Sequence, residues 1–201
     1  MDTPSPVSPD LIYALRRVTE RAACAAFNWI GRGDAGDGGN AALEAMRSAL
    51  SEIDLDAVVV IGEATAGEAP QPQRGERLGR SGAAFKADIA VDPVEGTSYL
   101  VRGLTNALAV MAVAPRGAMM DPGPAFYMEK FVAAAPAVGK IDPSWSTAKK
   151  LEELAKVLGK DVFDLNVFVL EKPRHRDLVN EILAAGARVA MYPAGDVAGA
   201  L

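Results

Sequence analysis

Cysteine and histidine are nearly absent from this chain of 201 residues, which has one of each. The lone Cys24 cannot form a disulfide within the chain, so a reducing cytoplasm is the expected location. Cys24 lies in an apolar stretch, and free cysteine usually packs as a small hydrophobe. We therefore expect Cys24 to be buried and structural. The only histidine, His175, is far away in sequence, which argues against a Cys–His nucleophilic pair.

Excess positive charge and long apolar runs are also lacking. The chain has 21 Lys and Arg against 26 Asp and Glu, a net charge of −5, so we expect no nucleic-acid partner. No apolar run approaches the roughly 18 residues of a membrane span, and the N-terminus lacks the pattern of a signal peptide. We expect no membrane partner either. A site for a phosphorylated ligand would have to be built locally from metal ions, backbone N–H groups or a few basic side chains.

Half of the residues are hydrophobic, as in an ordinary globular protein. A Pro- and Ser-rich tail is expected at 1–9, and an N-terminal lobe at 10–164. From 165 to 201 the pattern becomes strand–helix–strand, the start of a parallel α/β unit. We expect this second lobe to be incomplete, with an exposed apolar patch and an open sheet edge at 166–192.

Periodicity predicts helices at 9–30, 41–53, 146–160, 174–185 and 196–201 and strands at 56–61, 87–91, 106–113, 126–133, 166–170 and 188–192. The Gly-rich segment 31–40 is expected to break the first two helices apart.

The most informative motif is DPVEGT at 92–97. A predicted strand delivers Asp92 to its end, Pro93 stops the ladder, and Gly96 permits a tight turn before Thr97. Two carboxylates this close repel each other unless a cation lies between them, and Mg²⁺ and Mn²⁺ prefer such oxygen ligands. The sequence therefore indicates a divalent-metal site at Asp92 and Glu95. Solvated loop acids are the alternative interpretation.

Glu63 follows the predicted strand at 56–61 in the same way. It is a second candidate metal ligand, with a solvated loop position as the equally plausible alternative. Lys172 and Arg174, in the segment KPRH, could hold a distal phosphate, Arg through a bidentate fork. The alternative there is a solvated helix start. His175 is a possible general acid, although a structural, neutral histidine is the preferred interpretation.

The motif DPVEGT resembles the metal-site signature of the inositol monophosphatase and fructose bisphosphatase superfamily. With NALAV at 106–110, it is similar to class II fructose-1,6-bisphosphatases in particular. Further segments resemble the same family in order and at similar spacing: RVTERAA (17–23), WIGRGD (29–34), AMR (45–47), VVIGE (59–63), EAP (68–70), YMEK (127–130), KPRH (172–175) and YPAGDVA (192–198).

This resemblance implies an α/β (α+β layered sandwich) fold of two lobes, the sugar-phosphatase fold. It implies hydrolysis of the 1-phosphate of fructose 1,6-bisphosphate in gluconeogenesis, with Mn²⁺ or Mg²⁺, and in some members of sedoheptulose 1,7-bisphosphate. A homo-oligomer is expected. By resemblance, the metal ligands are Glu63, Asp92 and Glu95, and these act in catalysis together with Thr97. The implied substrate-binding residues are Glu95, Gly96, Thr97, Tyr127, Lys172, Pro173, Arg174, Gly195 and Asp196.

Several positions depart from the family pattern. Ala35 stands where a lysine is usual and Gly39 where a metal-binding aspartate is usual, while Asp37 could serve only if the Gly-rich segment shifted. Thr65 and Gly67 replace further acids after Glu63. We therefore predict activity well below a normal enzymatic rate of about 10 per second.

The sequence leaves three interpretations open. The first is a class II bisphosphatase, present here as its N-terminal portion. The second is a diverged, catalytically weak paralogue that binds a sugar phosphate or a partner. The third is an α/β binding module without metal chemistry.

Overall fold

The computed structural model describes residues 8–62, 72–125 and 127–201, with no side-chain placement for Ala35. The chain forms two compact units, Met1–Ala125 and Phe126–Leu201, here called unit 1 and unit 2. Within the described residues no helix is both long enough and apolar enough to cross a membrane. Glu63, Thr65 and Gly67 lie outside the described residues, so the expectations for them are untested.

Unit 1 opens with two helices. Helix α1 (Pro9–Phe27) begins at Ser8, whose side chain accepts a hydrogen bond from the Leu11 N–H at 3.2 Å. Ser8 and Pro9 therefore do not belong to a tail. Helix α2 (Ala35–Ser51) starts six residues earlier than predicted, because Asp34 caps it by accepting from the Asp37 N–H at 2.9 Å. Most of the Gly-rich segment is thus helical.

A four-stranded mixed sheet follows in the order β2–β1–β3–β4. Its strands are β1 (Leu55–Ile61), β2 (Arg77–Gly79), β3 (Phe85–Glu95) and β4 (Leu108–Pro115), with a short helix α3 (Thr97–Arg102) after β3. Strand β3 is parallel to β1 and antiparallel to β4. One sheet face packs against α1 and α2 through buried residues such as Met46, Leu50 and Ile89. Each such side chain contributes about 1.5–3 kcal/mol of burial free energy.

Unit 2 contains helix α4 (Thr147–Leu158), strand β5 (Asn166–Leu170), helix α5 (Arg176–Ala184), strand β6 (Arg188–Tyr192) and helix α6 (Asp196–Ala200), with short 3₁₀ turns at Ala135–Ala137, Val162–Asp164 and Pro173–His175. The predicted strand–helix–strand is confirmed, because β5 and β6 pair in parallel over all five residues. The predicted strand at 126–133 is wrong over 127–133, where the structure has no strand.

The division between the units differs from the predicted boundary at 164/165. Helix α4 belongs to unit 2, because Leu151 and Ala155 on its apolar face pack with Val169 of β5 and Ile182 of α5. Periodicity along one helix does not say which neighbour its apolar face will meet.

Two exposure expectations have different outcomes. Cys24 is exposed on α1, so its prediction as a buried residue is wrong: the core seam of α1 runs through Val18, Ala22 and Ala26 instead. In unit 2, Met191 is 49% exposed and Tyr192 is also exposed, whereas Val169 is buried. The expected apolar exposure is therefore present only at the end of β6, since Val167, Phe168, Leu170 and Val189 are half-buried.

Candidate functional site

A β-bulge near the end of β3 decides where the two predicted metal ligands point. Asp92 pairs with Val110 of β4, and Glu95 pairs with Leu108, so the register shifts by one residue between the two acids. Since successive side chains alternate, residues three apart on a regular strand would face opposite sides. The bulge inserts one extra residue into β3 between the two acids. Asp92 and Glu95 therefore share one face of the sheet, because their partners Val110 and Leu108 are two residues apart on β4.

The core packing supports the same geometry. Val91 and Val94 both belong to the hydrophobic cluster beneath α1 and α2, although they are also three residues apart. Asp92 and Glu95 therefore point away from the helices. Pro93 fits within β3 because it lies inside the bulge, where its missing N–H interrupts no ladder hydrogen bond.

The turn after β3 is held tightly. Gly96 has φ +83°, and a Cβ there would lie 2.7 Å from the Tyr99 ring, so only glycine fits without strain. The Thr97 hydroxyl donates to the Val94 carbonyl at 3.0 Å, and the Asp92 carboxylate accepts from the Val94 N–H at 3.1 Å. These bonds fix the backbone between the two acids.

Ser98 is a candidate that sequence reasoning did not single out. Its hydroxyl oxygen is buried and makes no hydrogen bond within the described residues. It directly follows the DPVEGT segment, so proximity to that motif was the available signal. A buried polar atom without a protein partner costs free energy and marks a place where a ligand or water could bind.

The donor set fits a hard divalent cation in part. Asp92 and Glu95 offer carboxylate oxygens on one face, and Glu95 is only 4% exposed. Within the described residues no three His, Cys, Asp or Glu side chains form a complete metal cage. Mg²⁺ commonly uses one or two carboxylates and completes its shell with waters and substrate phosphate. The described donors match such a site.

Helix α2 excludes the proposed substitute for the missing aspartate. Asp37 and Gly39 both lie inside the helix, where residues two apart point about 200° away from each other. Gly38, between these two positions in the sequence, packs closely against Leu100 and Trp29. A Cβ on Gly38 would lie 2.7 Å from the Leu100 side chain and 3.0 Å from the Trp29 side chain. Asp37 is exposed, and the buried Gly39 position brings no carboxylate.

A second acid cluster on the same sheet face was missed by sequence reasoning. Asp56 of β1 and Asp88 of β3 are each 4% exposed. The Arg116 guanidinium lies between them, 3.5 Å from the Asp56 carboxylate and 3.3 Å from that of Asp88. The Gly117 N–H also donates to Asp88 at 2.6 Å. An acid inside an apolar strand was the available signal for such a cluster.

The pKa of Asp56 is lowered from its ordinary value. The backbone N–H of Gly82, which donates to it at 3.2 Å, contributes most, followed by the hydrogen bond from Arg77 and then the charges of Arg77 and Arg116. Hydrogen bonds and positive charge stabilise the ionised form against the cost of burial. This cluster therefore acts as a structural ion pair network.

In unit 2 the structure brings some predicted substrate residues together. The Arg174 guanidinium lies 4.5 Å from the centre of the Tyr127 ring, a cation–π contact. The Lys172 ammonium donates to the Pro193 carbonyl at 2.7 Å. Pro173 begins the 3₁₀ turn that follows Lys172. Basic side chains thus lie at the end of β5, the location expected for ligand-binding residues in a parallel sheet.

The remaining predicted residues of unit 2 have partners of their own. The Nδ1–H of His175 donates to the Leu170 carbonyl at 2.8 Å, which fixes the ring beside β5. Asp196 forms an ion pair with Lys130 at 3.2 Å. Gly195 has φ +94° and precedes helix α6. The Tyr127, Lys172 and Asp196 group belongs to unit 2, whereas Asp92, Glu95 and Thr97 belong to unit 1.

Comparison with known proteins agrees with the motif. Residues 9–201 match the family model described as "Bacterial fructose-1,6-bisphosphatase, glpX-encoded". The chain is 42% identical over 192 residues to the fructose-1,6-bisphosphatase 1 class 2 of Escherichia coli K12. The class 2 enzymes of Escherichia coli O6:H1 and Shigella flexneri show the same identity.

Each alignment covers 96% of this chain and 56% of the relative. The chain therefore spans a little over half the length of these relatives. A family match over nearly all of its residues, together with a mixed α/β fold, supports one conclusion. The chain belongs to the family of bacterial, glpX-encoded fructose-1,6-bisphosphatases.

Proposed function

We propose that this chain carries the metal-binding part of a phosphatase that hydrolyses the 1-phosphate of fructose 1,6-bisphosphate. The observation that supports this most is the bulge in β3, which turns Asp92 and Glu95 to one sheet face. The family match adds the substrate class. Gluconeogenesis is the corresponding pathway and the cytoplasm the corresponding location.

Asp92 and Glu95 are proposed to hold Mn²⁺ or Mg²⁺ through their carboxylate oxygens, with Glu63 as a further ligand. When bound, such an ion polarises the phosphoryl oxygens and lowers the pKa of water. Gly96 and Thr97 form the turn beside the acids, where backbone N–H groups of α3 can donate to phosphate oxygens. The Ser98 hydroxyl is available for the same anion.

The predicted substrate-binding residues of unit 2 are proposed to bind a sugar bisphosphate. Lys172 and Arg174 supply the positive charge for the distal phosphate, and Arg174 is held by its contact with Tyr127. Pro173 stiffens the turn between the two basic residues. Gly195 and Asp196, at the start of α6, are proposed to contact sugar hydroxyls, because a carboxylate oxygen accepts hydrogen bonds from hydroxyl groups well.

A phosphate-release assay on the 201-residue chain tests this proposal. Fructose 1,6-bisphosphate and sedoheptulose 1,7-bisphosphate are offered with Mn²⁺ or Mg²⁺, and fructose 6-phosphate serves as the comparison substrate. We expect metal-dependent release from the bisphosphates, reduced by chelator and restored by metal. Equal rates with and without metal would contradict the proposal.

A second candidate function is a catalytically weak paralogue that binds sugar bisphosphate. Gly39 favours it, because α2 offers no carboxylate in place of the usual aspartate. Calorimetric titration with fructose 1,6-bisphosphate and Mn²⁺ separates the two functions. Saturable binding without measurable phosphate release would select the weak paralogue, and release on the order of 10 per second would exclude it.

A further inference from the structure

Asn106 has a backbone conformation that glycine adopts freely and other residues do not. Its φ is +78°, and among the described residues every other positive φ belongs to a glycine. A left-handed conformation costs backbone energy in any residue with a Cβ, although asparagine tolerates it better than most. Residues held in such conformations concentrate at binding and catalytic sites. The position of Asn106 in the fold therefore bears on function.

The conformation of Asn106 is fixed from both sides. Before it, the Leu104 N–H donates to the Tyr99 carbonyl of α3 at 2.9 Å. After it, Leu108 begins β4 and pairs with Glu95 of β3. The short connection between these two anchors leaves the backbone little freedom to relax. The surrounding structure therefore maintains the left-handed conformation at Asn106.

These anchors place Asn106 beside the turn that follows the two acids of β3. The Asn106 carbonyl oxygen lies 3.7 Å from the point that a Cβ on Gly96 would occupy. The Asn106 side chain is exposed, and it forms no hydrogen bond within the described residues. An amide group with free donors and a free acceptor thus lies next to Gly96.

The same turn contains a second polar group without a protein partner. The Ser98 hydroxyl oxygen is buried and has no hydrogen bond within the described residues, whereas the Thr97 hydroxyl already donates to the Val94 carbonyl. A hydroxyl and an amide NH₂ both donate hydrogen bonds, which phosphate oxygens accept strongly. A cation that is offered two carboxylates gains less from a neutral amide. These donors therefore favour an anion as the ligand beside the two acids.

We infer that Asn106 is a further phosphate-binding residue, whose side-chain N–H donates to an oxygen of the phosphate held at the Asp92 and Glu95 metal site. The inference rests on the proposed function, in which a metal-bound phosphate ester is the substrate. It adds a residue from the segment before β4 to a site otherwise built from the end of β3 and the turn after it.

Titration of the Mn²⁺-loaded 201-residue chain with inorganic phosphate tests the inference. Asn106→Gly removes the amide and relieves the positive φ, which offsets the greater freedom of glycine in the unfolded chain. The urea midpoint should therefore stay close to that of the unmodified chain. We expect phosphate affinity to fall at least about tenfold, the effect of losing one hydrogen bond to a charged group. Mn²⁺ affinity measured without phosphate should not change.

Asn106→Asp gives a second, independent measurement. Aspartate keeps the shape of the side chain and tolerates the left-handed conformation, but it sets a negative charge against the phosphate. Phosphate affinity should fall further than in Asn106→Gly, while Mn²⁺ affinity does not fall. Asn166→Asp is the matched control, because it makes the same change at an exposed asparagine at the beginning of β5. It should leave phosphate affinity unchanged.

The possible failures are distinguishable. Phosphate affinity that is equal in the unmodified chain and both Asn106 variants would overturn the inference and leave the proposed function standing. Weaker Mn²⁺ binding by Asn106→Gly in the absence of phosphate would assign the amide to the metal instead. A urea midpoint that falls together with phosphate affinity in Asn106→Gly would show a structural role. An unmodified chain that binds no phosphate with Mn²⁺ present would overturn both the inference and the proposed function.

Discussion

The two ends of strand β3 place acids on one sheet face in different surroundings. At the beginning of the strand, Asp88 and its neighbour Asp56 are joined through Arg116 and capped by backbone N–H groups. At the end, Asp92 and Glu95 reach the same face only through a bulge and adjoin a glycine turn. The comparison shows that burial of an acid does not reveal its role. At the beginning of the strand arginine makes a fixed ion pair, whereas the metal site proposed at the end needs open coordination positions.

The largest expected difference between these ends concerns metal binding. Asp92→Asn and Glu95→Gln each remove a charged oxygen ligand with little change in shape. We expect each to weaken Mn²⁺ binding, and any bisphosphate hydrolysis, at least about a hundredfold, in line with the loss of one preorganised charge-stabilising group. Titration with Mn²⁺ measures this. Asp54→Asn is the control, because Asp54 is exposed and forms only a long ion pair with Arg80, at 3.8 Å. Unchanged affinity in both acid variants would contradict the metal assignment.

The free energy of unfolding should be most sensitive to substitutions at the beginning of β3, around Asp56 and Asp88. Arg116→Ala would leave two buried carboxylates without their shared cation. We expect a loss of about 2 kcal/mol in the free energy of unfolding, below the usual value for a buried pair because Arg116 is one-third exposed. Urea denaturation provides the measurement. Arg80→Ala, which removes an exposed partner of Asp54, should cost less than about 0.5 kcal/mol. Equal effects of the two substitutions would refute the structural role.

Gly39→Asp would test whether α2 can contribute to the proposed metal site, because the family usually has a ligand at position 39 whereas Asp92 and Glu95 point away from the helices. If Gly39 aligns as the motif suggests, Mn²⁺ should bind roughly tenfold more tightly, the magnitude of a single added charged contact. Asp37→Asn is the control and should have no effect, since Asp37 points away from position 39 across α2. Tighter binding that depends on Asp37 instead would show that α2 rearranges.

The smallest expected effect is the pH response of Asp56. Its pKa is lowered in the folded state, so its stabilisation is complete above the unfolded value of about 3.9 and is lost as the pH falls through the folded value. Asp56→Asn should therefore destabilise the protein at neutral pH. It should also flatten the fall in stability below about pH 4. Urea midpoints at pH 7 and pH 3 test this, and parallel pH profiles of both proteins would refute it.

Local pattern was sufficient for several elements of this protein. Strands β5 and β6 lie where their apolar runs predicted, and α4 ends at Gly159, which adopts φ +63° as a helix C-cap. The DPVEGT motif indicated the superfamily, and together with NALAV and the other matching segments it indicated the family. These features depend on neighbours within a few residues, which a sequence records directly.

Other features depended on residues distant in sequence. Helix α2 extends through a Gly-rich segment because Gly38 fits closely against Trp29 and Leu100, and no local propensity predicts that contact. The shared face of Asp92 and Glu95 depends on the register with β4, which a single strand does not specify. Residue type and spacing thus indicated which groups are candidates for the chemistry. Only tertiary packing decided where they point, because side-chain direction is set by the pairing and burial of whole elements.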